Sequence, residues 1–178
     1  ARYQFDVNLF GLARLTQLAL PYMREKGSGK IVNISSMGGK IYTPMGSWYH
    51  ATKHALEGWS DCLRIELKQF NIDVIVIEPG MIDTNFYEPV MKSIMKSSGE
   101  GPYSAVVKSM IDGMNANANN GRSMGSPASV ISNVIAKAVK VRRPKTRYVA
   151  GRMAKMLIRI RRLFGDRFYD RMIMSQMT

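Results

Sequence analysis

The chain has 178 residues, of which 46% are hydrophobic and 22% charged, enough apolar material for one packed core and too much for a disordered segment. No apolar run approaches the ~18–20 residues that span a bilayer, and no charged-then-apolar leader opens the chain. The net charge of +13 is lopsided: residues 1–139 hold 14 basic and 11 acidic side chains, residues 140–178 hold 12 and 2. The first part is therefore no polyanion binder, and the basic end needs its own explanation. A single cysteine, Cys62, excludes an internal disulfide framework, suits a reducing cytoplasmic location and is expected to be buried.

In chain order, Phe5, Leu9, Leu12, Leu15, Ala19 and Tyr22 recur at helical spacing and predict a helix over 1–26. The Gly27-Ser28-Gly29 run closes it, with Arg24 and Lys26 in the last turn, where cations suit the helix dipole. KIVNIS, 30–35, reads as a short buried strand. After a Gly-, Thr- and Pro-rich loop, 48–70 reads as a second long helix with Ala51, Ala55, Leu56, Trp59, Leu63 and Leu67 on its apolar side. DVIVIE, 73–78, is another buried strand, stopped by Pro79-Gly80.

Strand, helix and strand at this spacing predict a parallel sheet with crossover connections. Helical pieces are expected around 87–96 and 104–115, with an Asn-rich turn and tip at 115–121. Ser126-Pro127 is expected to start a helix over 127–140, proline being favoured in a first turn. A short strand is expected at Arg147–Ala150, then a basic amphipathic helix over 151–174 interrupted near Gly165.

Tyr49 and Lys53 lie four residues apart at the start of the second helix and share a face. A neighbouring ammonium and the positive helix N-terminus favour phenolate, so Tyr49 is a candidate acid–base for an alcohol/carbonyl pair. Tyr-x-x-x-Lys alone is weak. Ser36, at the end of the first strand and 13 residues earlier, strengthens it by offering a hydroxyl to the substrate and tyrosine oxygens. Asn8, on the first helix, is placed to hold a water beside Lys53. His50 and His54 flank the pair, and no carboxylate or thiol converges on them to make a metal site.

DVNLFG (6–11), GKIVNISS (29–36), YHATKHALEG (49–58) and DVIVIEPG (73–80) together resemble the short-chain dehydrogenase/reductase family, in order and spacing. Sugar-nucleotide epimerases share Tyr-x-x-x-Lys but match the Ser-to-Tyr spacing less well. The resemblance is close over 1–85 and holds only in outline over 86–178. It implies an α/β fold, the C-terminal part of a Rossmann-like doubly wound parallel sheet, and a reaction dependent on NAD or NADP. By residue it implies that Ser36 orients substrate and Tyr49 transfers the proton. Lys53 would lower the tyrosine pKa and hold the nicotinamide ribose, with Asn8 linking it to a relay water. In Pro79-Gly80-Met81-Ile82-Asp83-Thr84, the Ile82 backbone and the Thr84 hydroxyl would contact the carboxamide or a nearby phosphate. A homodimer or homotetramer built on the two long helices is implied as well.

One departure is plain: no strand is followed by the Gly-rich turn that cradles a pyrophosphate. The chain is therefore expected to be part of a longer enzyme, with its first strand exposed as an apolar sheet edge. The expected division is a catalytic portion at 1–85, a substrate lid at 86–125, and C-terminal helices with a short strand and basic tail at 126–178. Met81, Met91, Met95, Met110, Met114 and Met124 crowd the lid and suit a lipophilic alcohol or ketone, or fill gaps in a core. The basic tail suits a packed helix with a solvated face, or peripheral contact with an anionic membrane; nucleic acid is not expected. Against the oxidoreductase stands one alternative, a non-catalytic dimerisation or interaction module.

Overall fold

The structure, a computed structural model, describes residues 1–119 and 125–175. Its sheet has three parallel strands in the order β1 (Gly29–Ile34), β2 (Ile72–Pro79) and β5 (Arg147–Ala150), with Ile31 opposite Val74 and Val76 opposite Arg147. The α/β class and the parallel sheet expected from the sequence are both present. β1 pairs on one side only, with β2, and is an edge strand among the described residues. A second pairing joins β3 (Ile82–Asp83) to β4 (Ser126–Pro127).

Alternation along β2 sends side chains to both faces, and both faces are covered. Ile72 and Val74 pack with Ile31, Leu63 and Leu67 beneath helices α2 (Leu12–Lys26) and α3 (Ser47–Leu67). Ile75 and Ile77 pack with Ala138 beneath α6 (Ser129–Lys140). A third cluster joins Ile41 to Leu157, Tyr169 and Ile173, seating α7 (Ala154–Met174) on the loop after β1.

The first helix is predicted as one run and is built in pieces. α1 (Arg2–Phe5) leads through a π-helical turn at Asp6–Gly11 into α2, which Gly27 caps in the left-handed conformation. Its apolar stripe does not face the core. Leu15 and Tyr22 are 69% and 75% exposed, and Thr16 is the one buried residue among those described in α2. The helical spacing is present, but among the described residues nothing covers Leu15 and Tyr22.

Four further expectations are corrected. Cys62 is exposed, because the buried stripe of α3 runs through Leu56, Ser60, Leu63 and Leu67. Ala51, expected on the apolar side, is exposed too. Ser126-Pro127 does not begin a helix: the Ser126 amide donates to the Met81 carbonyl at 2.9 Å, and the pair forms β4. Residues 115–119, expected as a turn, continue α5 (Ser104–Asn119), which follows α4 (Tyr87–Ser98); the rest of that expected tip, 120–121, lies outside the described residues. The break near Gly165 is present: its φ of 72° and ψ of −175° suit glycine alone. No helix among the described residues is long and apolar enough to cross a membrane.

Candidate active site

β1 delivers Ser36 to the end of the sheet. The Ser35 amide still donates to the Ile77 carbonyl at 2.8 Å, so the chain stays in register until the residue before Ser36. The Ser36 hydroxyl accepts from the Gly38 amide at 3.0 Å and starts a 3-10 turn over Met37–Gly39. Accepting that bond leaves its one O–H free to donate.

α3 brings the other two groups to the same end. Tyr49 is in its first turn and Lys53 one turn later. The Lys53 Nζ donates to the Ile34 carbonyl at 3.0 Å and lies 6.0 Å from the centre of the Tyr49 ring. The Ser36 hydroxyl is near enough to act on the Tyr49 phenol and favours its anion. Ser36, Tyr49 and Lys53, 17 residues apart in sequence, are thus brought together at the carboxyl end of two parallel strands, where open α/β sheets bind ligands.

The electrostatics differ from the expectation in direction. Burial raises the Tyr49 phenol above its ordinary value, with Ser36 opposing, and burial also lowers the Lys53 ammonium, with Glu57 opposing. The ammonium is turned toward the end of β1, where it donates to the Ile34 carbonyl. Tyr49 is accordingly a neutral phenol in a half-buried site.

Asn8 sits inside the π turn, and its Nδ2 donates to Thr52 Oγ1 at 3.1 Å; that hydroxyl donates in turn to the Tyr49 carbonyl at 2.8 Å. Asn8 therefore reaches α3 at the residue before Lys53 rather than at Lys53 itself. Pro79 ends β2, and the Gly80 amide donates to the Ala150 carbonyl at 2.7 Å. A Cβ at Gly80 would overlap the Arg152 carbonyl and come within 2.9 Å of Ala154, so only glycine lets the chain turn there. Ile82 is in β3, and Thr84 Oγ1 accepts from the Phe86 amide at 3.4 Å. Phe86 then carries this segment back to Tyr49, its ring centre 5.7 Å from that of the tyrosine.

Several residues that shape the site carry no recognisable motif. The Thr43 amide donates to His50 Nε2 at 3.0 Å, so Nδ1 carries the proton and donates to the Gly38 carbonyl at 2.9 Å. Burial lowers the His50 imidazole, in keeping with this neutral form. Lys40 pairs with buried Glu57 at 2.9 Å, clamping the other end of the Ser36 loop onto α3. Tyr87, next to Phe86, has its phenol raised first by burial and then by Tyr49. His54 is exposed, bonded to the His50 carbonyl, and no cluster of three or more His, Cys, Asp or Glu suits a metal among the described residues.

Beside the site an open groove of about 590 Å³ is lined by Thr84, Tyr87, Glu88, Met91, Met95 and Ile111, among others. Met91 and Met95 are among its lining residues, Met81 and Met110 are not, and the side chains of Met114 and Met124 lie outside the described residues. Lys53 spends one of its three N–H donors on Ile34 and keeps two, a donor set that suits the hydroxyls of a sugar.

Comparison with known proteins agrees with this fold. The profile described as "short chain dehydrogenase" matches residues 2–94. The chain is 35% identical over 164 residues to the uncharacterized oxidoreductase YusZ of Bacillus subtilis, covering 92% of this chain and 58% of that protein. It is 36% identical over 169 residues to dehydrogenase/reductase SDR family member 7B of Xenopus laevis, covering 95% and 47%. Among solved structures, a short-chain dehydrogenase from Streptomyces avermitilis superposes with a TM-score of 0.66 at 33% identity, over 87% of this chain and 54% of that one. A short-chain dehydrogenase from Burkholderia cenocepacia in complex with NADP superposes at 0.64 with 19% identity, over 94% and 55%, a likeness of fold alone. The chain spans about half the length of the relatives it matches.

Proposed function

The chain belongs to the short-chain dehydrogenase family, and from that premise we propose that it carries the catalytic part of an NAD- or NADP-dependent oxidoreductase interconverting an alcohol and a ketone or aldehyde. The observation that supports this best is the meeting of Ser36, Tyr49 and Lys53 at one end of the parallel sheet.

Tyr49 is the acid–base. Held neutral by burial, its phenol donates to a carbonyl oxygen in the reducing direction, and its anion takes the proton back in the oxidising one. Ser36 donates its free O–H to the same oxygen as charge develops. The Lys53 ammonium stabilises the phenolate left behind, an attraction strengthened by the half-buried setting. Asn8, through Thr52, holds the first turns of α3 in register with the π turn. Tyr49 and Lys53 would hold the ribose of a nicotinamide cofactor, and Pro79, Gly80, Ile82 and Thr84 its carboxamide or an adjoining phosphate; that group would supply the hydride.

The methionine-lined groove favours a lipophilic alcohol or carbonyl substrate. This reading divides the chain into a catalytic portion at 1–85, a lid over 86–125 and the C-terminal elements at 126–178. Val7, Phe10, Leu15, Leu18 and Tyr22, each more than half exposed on the first helix, favour a homodimer or homotetramer. The test is Tyr49→Phe, assayed by NAD(P)H absorbance against a panel of aliphatic and aromatic carbonyls and by cofactor-induced quenching of tryptophan fluorescence. Turnover should fall at least about a hundredfold, while cofactor affinity should fall no more than the roughly tenfold expected for one lost hydrogen bond to the ribose. Turnover that survives the substitution refutes the assignment of Tyr49.

A further inference from the structure

The C-terminal helix has two faces of opposite purpose. Inward, Ala154, Leu157, Tyr169 and Ile173 are buried and fix α7 against Ile41. Outward, Met156, Leu163, Phe164 and Phe168 are 47%, 74%, 60% and 46% exposed. Met156, Arg159 and Leu163 share one stripe at i, i+3 and i+7, while Lys155, Arg159 and Arg162 form the stripe beside it. The break at Gly165 turns the chain just after Phe164, and the rings of Phe164 and Phe168 stack across it with centres 4.8 Å apart. The result is a protruding apolar corner ringed by cations.

The corner is held in place from behind. Arg161 pairs with Asp166 and lies 5.2 Å over the Tyr42 ring, and the Tyr42 hydroxyl donates to Asp170 at 2.8 Å. Both acidic side chains of the tail are exposed but partnered, Asp166 by Arg161 and Asp170 by Tyr42, so neither presents an unpaired carboxylate. Lys155, Arg159, Arg162 and Arg167 are left to set the sign of the exposed surface.

We propose that this corner is a docking surface for an anionic lipid bilayer, with Leu163, Phe164 and Phe168 entering the acyl boundary and the cations on the headgroup phosphates. Charge complementarity selects this occupant. A second copy would bring the same arginines face to face, at a cost that grows as the contact dries. A nucleic acid would use the cations and the phenylalanine rings but gain nothing from Met156 and Leu163. Side chains this exposed project outward, and a projection suits a deformable interface better than a rigid protein groove. Cations beside an apolar wedge on one helix are what interfacial binding requires. The proposal is independent of catalysis.

The test is sedimentation of the purified chain with vesicles of phosphatidylcholine and phosphatidylserine, about 70:30, against phosphatidylcholine alone. Binding to the anionic vesicles only is expected. Each basic side chain at such a surface is worth about fivefold, so R159E/R162E should weaken binding by at least about thirtyfold. L163S/F164S should weaken it by about tenfold or more, with melting unchanged because both positions are exposed. F164W, which tests insertion without the double variant, should shift its emission to the blue on adding the same vesicles. The proposal is overturned if the chain does not pellet, if L163S/F164S binds like the parent, or if F164W emission is unmoved. It is equally overturned if L163S/F164S dissolves a self-associated species in the absence of lipid, or if a single-stranded oligonucleotide binds more tightly than the vesicles at equal phosphate.

Discussion

Glu78 offers a direct check on how the sheet, α3 and β5 are joined. It is 2% exposed near the end of β2, facing Glu57 of α3, which is 3% exposed. Arg147 of β5 lies between them, 3.0 Å from Glu57 and 3.2 Å from Glu78, and reaches Asp61 at 2.7 Å; Lys40 approaches Glu57 from the loop. Burial first, then the like charge of Glu57, pushes the Glu78 carboxyl up from 4.5 to about 7, against the pull of Lys40 and Arg147. A carboxyl raised on folding stabilises the fold below its unfolded value, and that contribution is lost as pH rises through the folded one. The window is therefore about pH 4.5 to 7, and at about 1.4 kcal/mol per tenfold change the loss is at most roughly 3–4 kcal/mol. Urea unfolding of the parent and of Glu78→Gln at half-unit steps across that range measures it. Glu78→Gln shifts stability by a fixed amount through its altered contact with Arg147, so the informative quantity is the pH dependence of the difference. The parent's advantage over the variant should shrink as pH rises. A difference constant within about 0.5 kcal/mol from pH 4.5 to 8 would refute the buried carboxyl pair.

The other expectations are simpler. Burial lowers His50, so its neutral form stabilises the fold above about pH 6.5 and that contribution is lost below it. His50→Ala should cost about 1–2 kcal/mol at pH 7.5 and less at pH 5.5, read by unfolding of each protein at both pH values. Gly80→Ala forces a methyl against the Arg152 carbonyl and Ala154 and should cost about 2–3 kcal/mol in a denaturant titration; a neutral result would mean that the β2–α7 junction is looser than described. Asn8→Ala removes the bond to Thr52 and should cost about 1 kcal/mol, whereas Asn8→Asp, which keeps an acceptor but no donor, should not restore it.

The strand–helix–strand order and the Ser36, Tyr49, Lys53 set were legible in the sequence because both rest on local rules. β-branched runs mark buried strands, four-residue spacing puts two side chains on one helix face, and a serine at a strand end needs only the strand to be placed. The Gly165 break and the Gly27 cap were legible for the same reason, a backbone conformation that one residue type adopts cheaply. Ser126-Pro127 misled because its helix-starting chemistry was overridden by pairing with Ile82-Asp83, a partner 44 residues away.

The amino-acid order alone thus decided most of the strands and helices, Ser126-Pro127 excepted, and which side chains share a helix face or a strand end. Tertiary structure alone decided the surroundings that shift their ionisation. Arg147 meets Glu57 and Glu78 only because β5 joins β2 with Arg147 opposite Val76, 71 positions earlier in the chain. Spacing suggested that Lys53 would depress the Tyr49 phenol, yet packing buried both groups and gave the ammonium to the Ile34 carbonyl. Desolvation depends on everything that surrounds a group, and most of what surrounds Tyr49, from Ser36 to Phe86, comes from other parts of the chain.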